Sequence, residues 1–266
     1  MDLELGGARV LVTGGASNIG RGIVHGFAAE GARVLICDID AEQAAKTRAE
    51  ALERGAAGAE VAVVDLTAGG AGATAVEHIV AAWGGIDVLV NNAGLSLPGF
   101  VAQDADRDGW RRMVDLNLFG SVECTRAALD AMRPEGHGSI VFISSDAAFG
   151  EIRQGVYGAT KAAVIAFART VAREHGRDGI RSNVVCPGLV IPQSPDAIGA
   201  GSLWTRGDQS AVFDDRQIEA VRKNIPLRRL TTPEDVANAV VWVSSARRAR
   251  QVTGQVFSVS GGYSMP

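Results

Sequence analysis

The chain has little of several things, and each shortage excludes something. Cysteine occurs three times in 266 residues, at Cys37, Cys124 and Cys186. An odd count, wide spacing and apolar surroundings argue against a disulfide framework and against the close-set ligand pairs of zinc sites. They indicate a reduced, cytoplasmic protein with buried thiols. No run approaches 18 consecutive apolar residues, so no membrane span is expected. Met1 to Gly7 holds Asp2 and Glu4 and no basic run, so it does not read as a secretory signal. A basic surplus is missing: Lys plus Arg total 26 against 30 Asp plus Glu, a net charge of −4. That argues against a nucleic-acid partner. The four histidines, His25, His78, His137 and His175, stand alone without metal-ligand spacing, and no metal is expected. Tyrosine occurs only at Tyr157 and Tyr263, and lysine only at Lys46, Lys161 and Lys223.

What is plentiful is glycine, 33 residues, with no triplet period. The excess suggests many tight turns or close backbone approaches. With 47% hydrophobic and 21% charged residues the chain is an ordinary globular one, long enough to bury a core unaided.

Short apolar runs alternate with helical patterns. Runs at 9–13, 33–37, 60–64, 86–90, 139–143, 180–185 and 255–259 read as strands. Helical spacing reads at 19–30, 41–54, 73–83, 108–132, 157–175 and 233–243, the last with Thr232 as N-cap. The strands are continuously apolar, as when both faces are covered. The expected fold is therefore α/β, a Rossmann-type doubly wound parallel sheet with helices on both faces, in a single domain spanning 1–266. Residues 192–225 break the rhythm and are expected to form a substrate lid inserted in that domain.

Two local patterns carry chemistry. Thr13-Gly14-Gly15-Ala16-Ser17-Asn18-Ile19-Gly20 lies between a strand and a helix, where glycines admit a pyrophosphate and the helix N-terminus favours it. Asp38 ends the second strand, 18 residues after Gly20. A carboxylate there accepts hydrogen bonds from ribose hydroxyls and repels a 2′-phosphate. Tyr157 and Lys161, four apart at the start of a helix, share one face. A phenol has an ordinary pKa near 10, and an adjacent cation favours its phenolate, making a general base.

These pieces, with Asp65-Leu66, Asn91-Asn92-Ala93-Gly94, Asn117, Ser144-Ser145, Pro187-Gly188 and the ending Thr253 to Gly262, occur in one order. In that order they resemble the classical short-chain dehydrogenase/reductases over about residues 5–264. The resemblance implies a nicotinamide dinucleotide, here NAD because of Asp38, and a small-molecule secondary alcohol or ketone. It implies catalytic roles for Asn117, Ser145, Tyr157 and Lys161. Gly14, Ser17, Asn18, Ile19, Gly20, Asp38, Asp65, Leu66, Asn91, Ala93, Gly94, Tyr157, Lys161, Pro187, Gly188 and Val190 would hold the cofactor. Ser144, Ser145, Leu95, Leu97, Phe149, Ile152, Tyr157 and Trp204 would meet the substrate. A homotetramer through the long helices at 108–132 and 157–175 is also implied.

Three departures stand out. Asn18 replaces a glycine, though asparagine tolerates positive φ. Pro192 replaces a threonine that bonds the carboxamide. The catalytic serine is ambiguous: spacing to Tyr157 selects Ser144, whereas strand register selects Ser145, the preferred reading. An NADPH-linked carbonyl reductase and a non-catalytic dinucleotide sensor are the alternatives. Missing basic residues near Ser17 and Asp38 argue against the first.

Overall fold

The structure, a computed structural model, describes residues 2–192, 194–199 and 215–266, with only the backbone of Pro195 and Asp215 described. Seven strands form one parallel sheet: β1 (Arg9–Thr13), β2 (Arg33–Asp38), β3 (Gly58–Val63), β4 (Val88–Asn91), β5 (Gly138–Ile143), β6 (Ile180–Pro187) and β7 (Val256–Val259). Their order is β3-β2-β1-β4-β5-β6-β7, which reverses direction beside β1. A doubly wound sheet opens a crevice at that switch point, outside the carboxyl ends of the strands.

The helices are α1 (Asn18–Ala29), α2 (Ala41–Glu53), α3 (Ala71–Trp83), α4 (Arg107–Val114), α5 (Ser121–Met132), α6 (Gly155–His175), α7 (Asp215–Asn224) and α8 (Pro233–Ser244). The sheet alternates its side chains between two apolar cores. Val10, Val12, Val34 and Ile36 meet Ile23 and Phe27 of α1 and Val240 of α8. Leu11, Leu35, Leu89 and Phe142 meet Ile79 of α3, Met132 of α5 and Val164 of α6. A strand covered on both faces favours apolar residues at successive positions, as in the middle of β1, β2 and β4; β3 instead exposes Glu60, and β6 buries Arg181, Ser182 and Asn183.

The expected single-domain fold is borne out. Thr232 caps α8 as expected, in a reciprocal capping box with Asp235. Two readings are corrected. The helix expected over 108–132 contains a π turn at Asp115–Gly120 between α4 and α5. A π turn inserts one residue into the helical ladder, which a 3.6-residue pattern does not register. Part of the irregular stretch expected at 192–225 is the helix α7, whose exposed, charge-rich sequence gives a weak apolar stripe.

Candidate active site

The glycine loop leaves the end of β1 and turns into α1. Gly14 has φ +61°, and a Cβ there would lie 2.8 Å from Ala93 Cα; at Gly20 it would lie 1.9 Å from Gly14 O. Asn92 Nδ2 donates to Thr13 O and Gly14 O, both at 2.9 Å, and Thr13 Oγ1 accepts from Asn92 N and Ala93 N at 3.0 and 3.1 Å. The loops after β1 and β4 are thus bolted together at the switch point. Ser17 is the N-cap of α1, yet its side chain makes no capping bond. The first N–H groups of α1 keep their capacity for an anion.

Asn18 adopts φ 41°, the left-handed region that the loop demands and asparagine tolerates. Its Nδ2 donates to Val190 O at 3.5 Å, and its buried Oδ1 has no protein partner. Asp38 is half-buried at the tip of β2. Its two oxygens accept from Ala16 N at 2.9 Å and Asp40 N at 3.1 Å. Burial nonetheless pushes its pKa up, opposed by the bonds from backbone N–H groups. The Asn91 Nδ2 donates to Thr125 Oγ1 at 3.0 Å, while its buried Oδ1 is unpartnered. Asp65 is exposed and accepts from Thr67, and Leu66 beside it is buried. Pro187 ends β6, Gly188 N donates to Val259 O at 3.1 Å, and Val190 is buried. A half-buried carboxylate, an uncapped helix start, close-approach glycines and orphaned amide oxygens along one groove fit a dinucleotide.

At the carboxyl ends of β5 and β6 the two serines separate. Ser144 is buried, and its Oγ donates to Lys161 O at 2.8 Å. Ser145 Oγ accepts from Ala147 N at 3.1 Å and acts on the Tyr157 hydroxyl, drawing its pKa down. Strand alternation sends neighbours to opposite sides, so only Ser145 shares the Tyr157 cavity.

Lys161 is buried, with Nζ donating to Ile143 O at 2.8 Å and lying 5.8 Å from the Tyr157 ring centroid. Burial pulls its pKa down to about 8. Burial pushes the Tyr157 hydroxyl up from 10, and Ser145 opposes it. This differs from the sequence expectation: the Lys161 ammonium is turned to a backbone carbonyl rather than to the phenol oxygen. Asn117 is fully buried in the π turn; its Nδ2 donates to Leu95 O and Thr160 Oγ1, and its Oδ1 accepts from Leu95 N. A Cβ on Gly94 would lie 3.2 Å from Lys161 Nζ and 3.4 Å from Asn117 Oδ1, so these two groups converge on one point.

Leu95 and Leu97 are half-buried, whereas Phe149 and Ile152 are 47% and 75% exposed on the rim. Ser96 Oγ donates to Gln154 Oε1 at 2.8 Å, and Arg153 lies 5.6 Å from the Phe100 ring centroid, tying the two rim loops together. Trp204, like Leu203, Arg206 and Phe213, lies outside the described residues. Sequence reasoning missed Gln43, Arg21 and Lys46, which meet the chain beyond β6 from α1 and α2. It also missed Asp146, a buried carboxyl next to Ser145. Basic residues, judged absent near Ser17 and Asp38, are present in Arg21 and Lys46, though both are engaged.

A parallel sheet with a glycine loop at its switch point and a Ser-Tyr-Lys cluster at its carboxyl edge defines a nucleotide-binding oxidoreductase class. Residues 14–264 match the family model described as Enoyl-(Acyl carrier protein) reductase. The chain is 37% identical to (2S)-[(R)-hydroxy(phenyl)methyl]succinyl-CoA dehydrogenase subunit BbsD of Thauera aromatica, over 96% of each chain. It is 32% identical to L-fucose dehydrogenase of Bos taurus, over 98% of this chain and 91% of that one. Among solved structures, a 7α-hydroxysteroid dehydrogenase complexed with NADH and 7-oxo glycochenodeoxycholic acid superposes with a TM-score of 0.87 at 29% identity, covering 98% and 96% of the chains. A gluconate 5-dehydrogenase-like protein of Beutenbergia cavernae with bound NADP superposes at 0.85 with 33% identity, each chain covered to 99%. The chain belongs to the short-chain dehydrogenase/reductase family.

Proposed function

We propose that this protein is an NAD-dependent oxidoreductase that interconverts a secondary alcohol and its ketone. The observation that carries the reading is the grouping of Ser145, Tyr157 and Lys161 at one end of a groove whose other end holds Asp38. Gly14, Ser17, Asn18, Ile19 and Gly20 would hold the pyrophosphate, and Asp38 the adenosine ribose. Asp65, Leu66 and Asn91 would hold the adenine side, and Ala93, Gly94, Pro187, Gly188 and Val190 the nicotinamide side. When bound, the nicotinamide supplies the hydride acceptor. The Ser145 hydroxyl orients the substrate oxygen, and Tyr157 removes its proton as the carbon is oxidised. The charge of Lys161, 5.8 Å from the Tyr157 ring centroid, would favour the phenolate through space, and Lys161 would relay the proton toward water near Asn117. Burial holds the phenol above its ordinary value, and a positively charged nicotinamide beside it would favour the phenolate. The buried Ser144 braces α6 against β5 instead of touching substrate.

Leu95, Leu97 and Val190 with the rim residues Phe149 and Ile152 suit a medium-sized apolar or aromatic alcohol. The expected lid over 192–225, part of which lies outside the described residues, would complete the wall. Three buried free thiols support a reduced cytoplasmic protein. Among the described residues, no helix is long and apolar enough to cross a membrane. A homotetramer through α4–α5 and α6 is part of this reading, carried over from the family resemblance.

The test is NADH absorbance with NAD or NADP, a panel of secondary alcohols and a Tyr157→Phe control. Turnover with NAD that vanishes in the control establishes the reading. Equal turnover with both cofactors removes the NAD assignment, and cofactor binding without any turnover favours a sensor.

A further inference from the structure

The chain beyond β6 reaches past the substrate side of the sheet to the other half of the groove. Asp196 O accepts from Arg21 at 2.6 Å and from Lys46 at 3.5 Å, and Ile198 O accepts from Gln43 Nε2 at 3.0 Å. Ile198 is buried, and a Cβ on Gly199 would lie 2.8 Å from Asp40 Oδ2. Residues 194–199 therefore form a strap docked on the first turns of α1 and α2, beside the turn that follows Asp38.

Gln43 is the informative contact. Its backbone N–H is capped by Asp40, whose own N–H is held by Asp38. The strap carbonyl takes its amide nitrogen, and this fixes which way the amide points. Its Oε1 is buried and has no protein partner. An amide oxygen only accepts hydrogen bonds. A ribose 2′-hydroxyl donates one, whereas an ionised 2′-phosphate offers only oxygens. The nearby cations that a 2′-phosphate would use are also withdrawn: Arg21 pairs with Glu50, and Lys46 faces Asp196.

We infer that Gln43, held in orientation by the strap at 194–199, is a second specificity-determining residue that accepts a hydrogen bond from the adenosine ribose and discriminates against NADP. This rests on the NAD reading above, in which Asp38 is the first such residue. It predicts that discrimination persists in part when Asp38 is neutralised.

The test is nicotinamide fluorescence titration of NADH, NADPH and NADH lacking the adenosine 2′-hydroxyl, on the wild-type chain, Gln43→Leu, Gln43→Ala and Asp38→Asn. Thermal melts would verify folding. Both Gln43 variants are expected to weaken NADH about fivefold, the worth of one hydrogen bond. They should leave the 2′-deoxy analogue within a factor of two, close to measurement scatter for a lost partner. Equal weakening of NADH and the deoxy analogue would reduce Gln43 to a strap anchor and overturn the inference, as would no weakening at all. Wild-type protein that binds NADPH as tightly as NADH would overturn the NAD reading itself. A ratio that falls in Asp38→Asn, with no ligand-selective effect at Gln43, overturns only the role of Gln43.

Discussion

Asn117 and Leu95 exchange two hydrogen bonds across the floor of the site: Leu95 N donates to Asn117 Oδ1 at 2.7 Å, and Asn117 Nδ2 donates to Leu95 O at 2.9 Å. The π turn turns the Asn117 side chain to the loop after β4, where it replaces a missing strand partner. The same amide also donates to Thr160 on α6. Asn117→Ala would strand the Leu95 backbone groups at a cost of about 2 kcal/mol. Chemical denaturation should read that loss, and activity should fall with it. Asn117→Asp keeps the acceptor but sets a buried carboxylate oxygen against Leu95 O, so its loss of stability should be at least as large as that of alanine.

Ser144 and Ser145 should respond oppositely to alanine. Ser145→Ala removes the group beside Tyr157 and should lower kcat by about 100-fold with little change in melting temperature. Ser144→Ala removes a second donor to Lys161 O, beyond the helical one, and should cost about 1 kcal/mol of stability while most turnover survives. Steady-state kinetics paired with thermal melts checks this. The reverse pattern would assign catalysis to Ser144.

Asn18 sits at φ 41°, where a Cβ with no local hydrogen bond is strained. Asn18→Ala should destabilise by about 1 kcal/mol, and Asn18→Gly should recover most of it. A differential scan of the three proteins without cofactor decides it. Equal melting temperatures for alanine and glycine would place the strain elsewhere.

Asp146 is buried next to Ser145, one oxygen accepting from Ser258 Oγ at 3.5 Å and the other unpartnered. Burial pushes its pKa up to about 6, with Glu151 adding to the rise. A carboxyl raised in the folded state binds its proton more tightly there than in the unfolded chain. Its contribution to stability is therefore full below about pH 4 and falls away as pH rises to about 6. A shift of roughly two units is worth about 3 kcal/mol at most. Asp146→Asn should stabilise the protein at pH 7 and remove that part of the slope. Urea titrations at pH 4, 5, 6 and 7 compare the two, and parallel curves would rule the effect out.

Lys161, pulled down to about 8, should impose an alkaline limit on turnover. As it loses its proton, the phenolate loses its cation, and kcat/KM should decline above that pH. Lys161→Arg keeps its charge and should carry the limit upward at reduced rate. A pH profile from 6 to 10 on both proteins reads the difference.

Much of this protein was legible because its chemistry is local. Continuous apolar runs separated by amphipathic stretches determine a parallel sheet covered on both faces. The glycine loop and the Tyr157–Lys161 pair are short patterns of residues close in sequence, and Asp38 is marked by its place at the end of the second strand. The preference for Ser145 over Ser144 rested on strand register, a property of the backbone.

What only the tertiary structure decided involves distance along the chain. The π turn at Asn117 is stabilised by Leu95 and Thr160, and neither is near it in sequence. The direction of the Lys161 ammonium is set by a carbonyl at the end of β5. Asp146 acquires its raised pKa from burial in the folded chain, opposed by Ser258 and Ser260, more than a hundred residues away. The strap at 194–199 meets Gln43 some 155 residues back along the chain. Side-chain periodicity records which face of an element is buried, not which distant carbonyl it will meet. That pairing is fixed when the sheet closes and its two halves come together around the crevice.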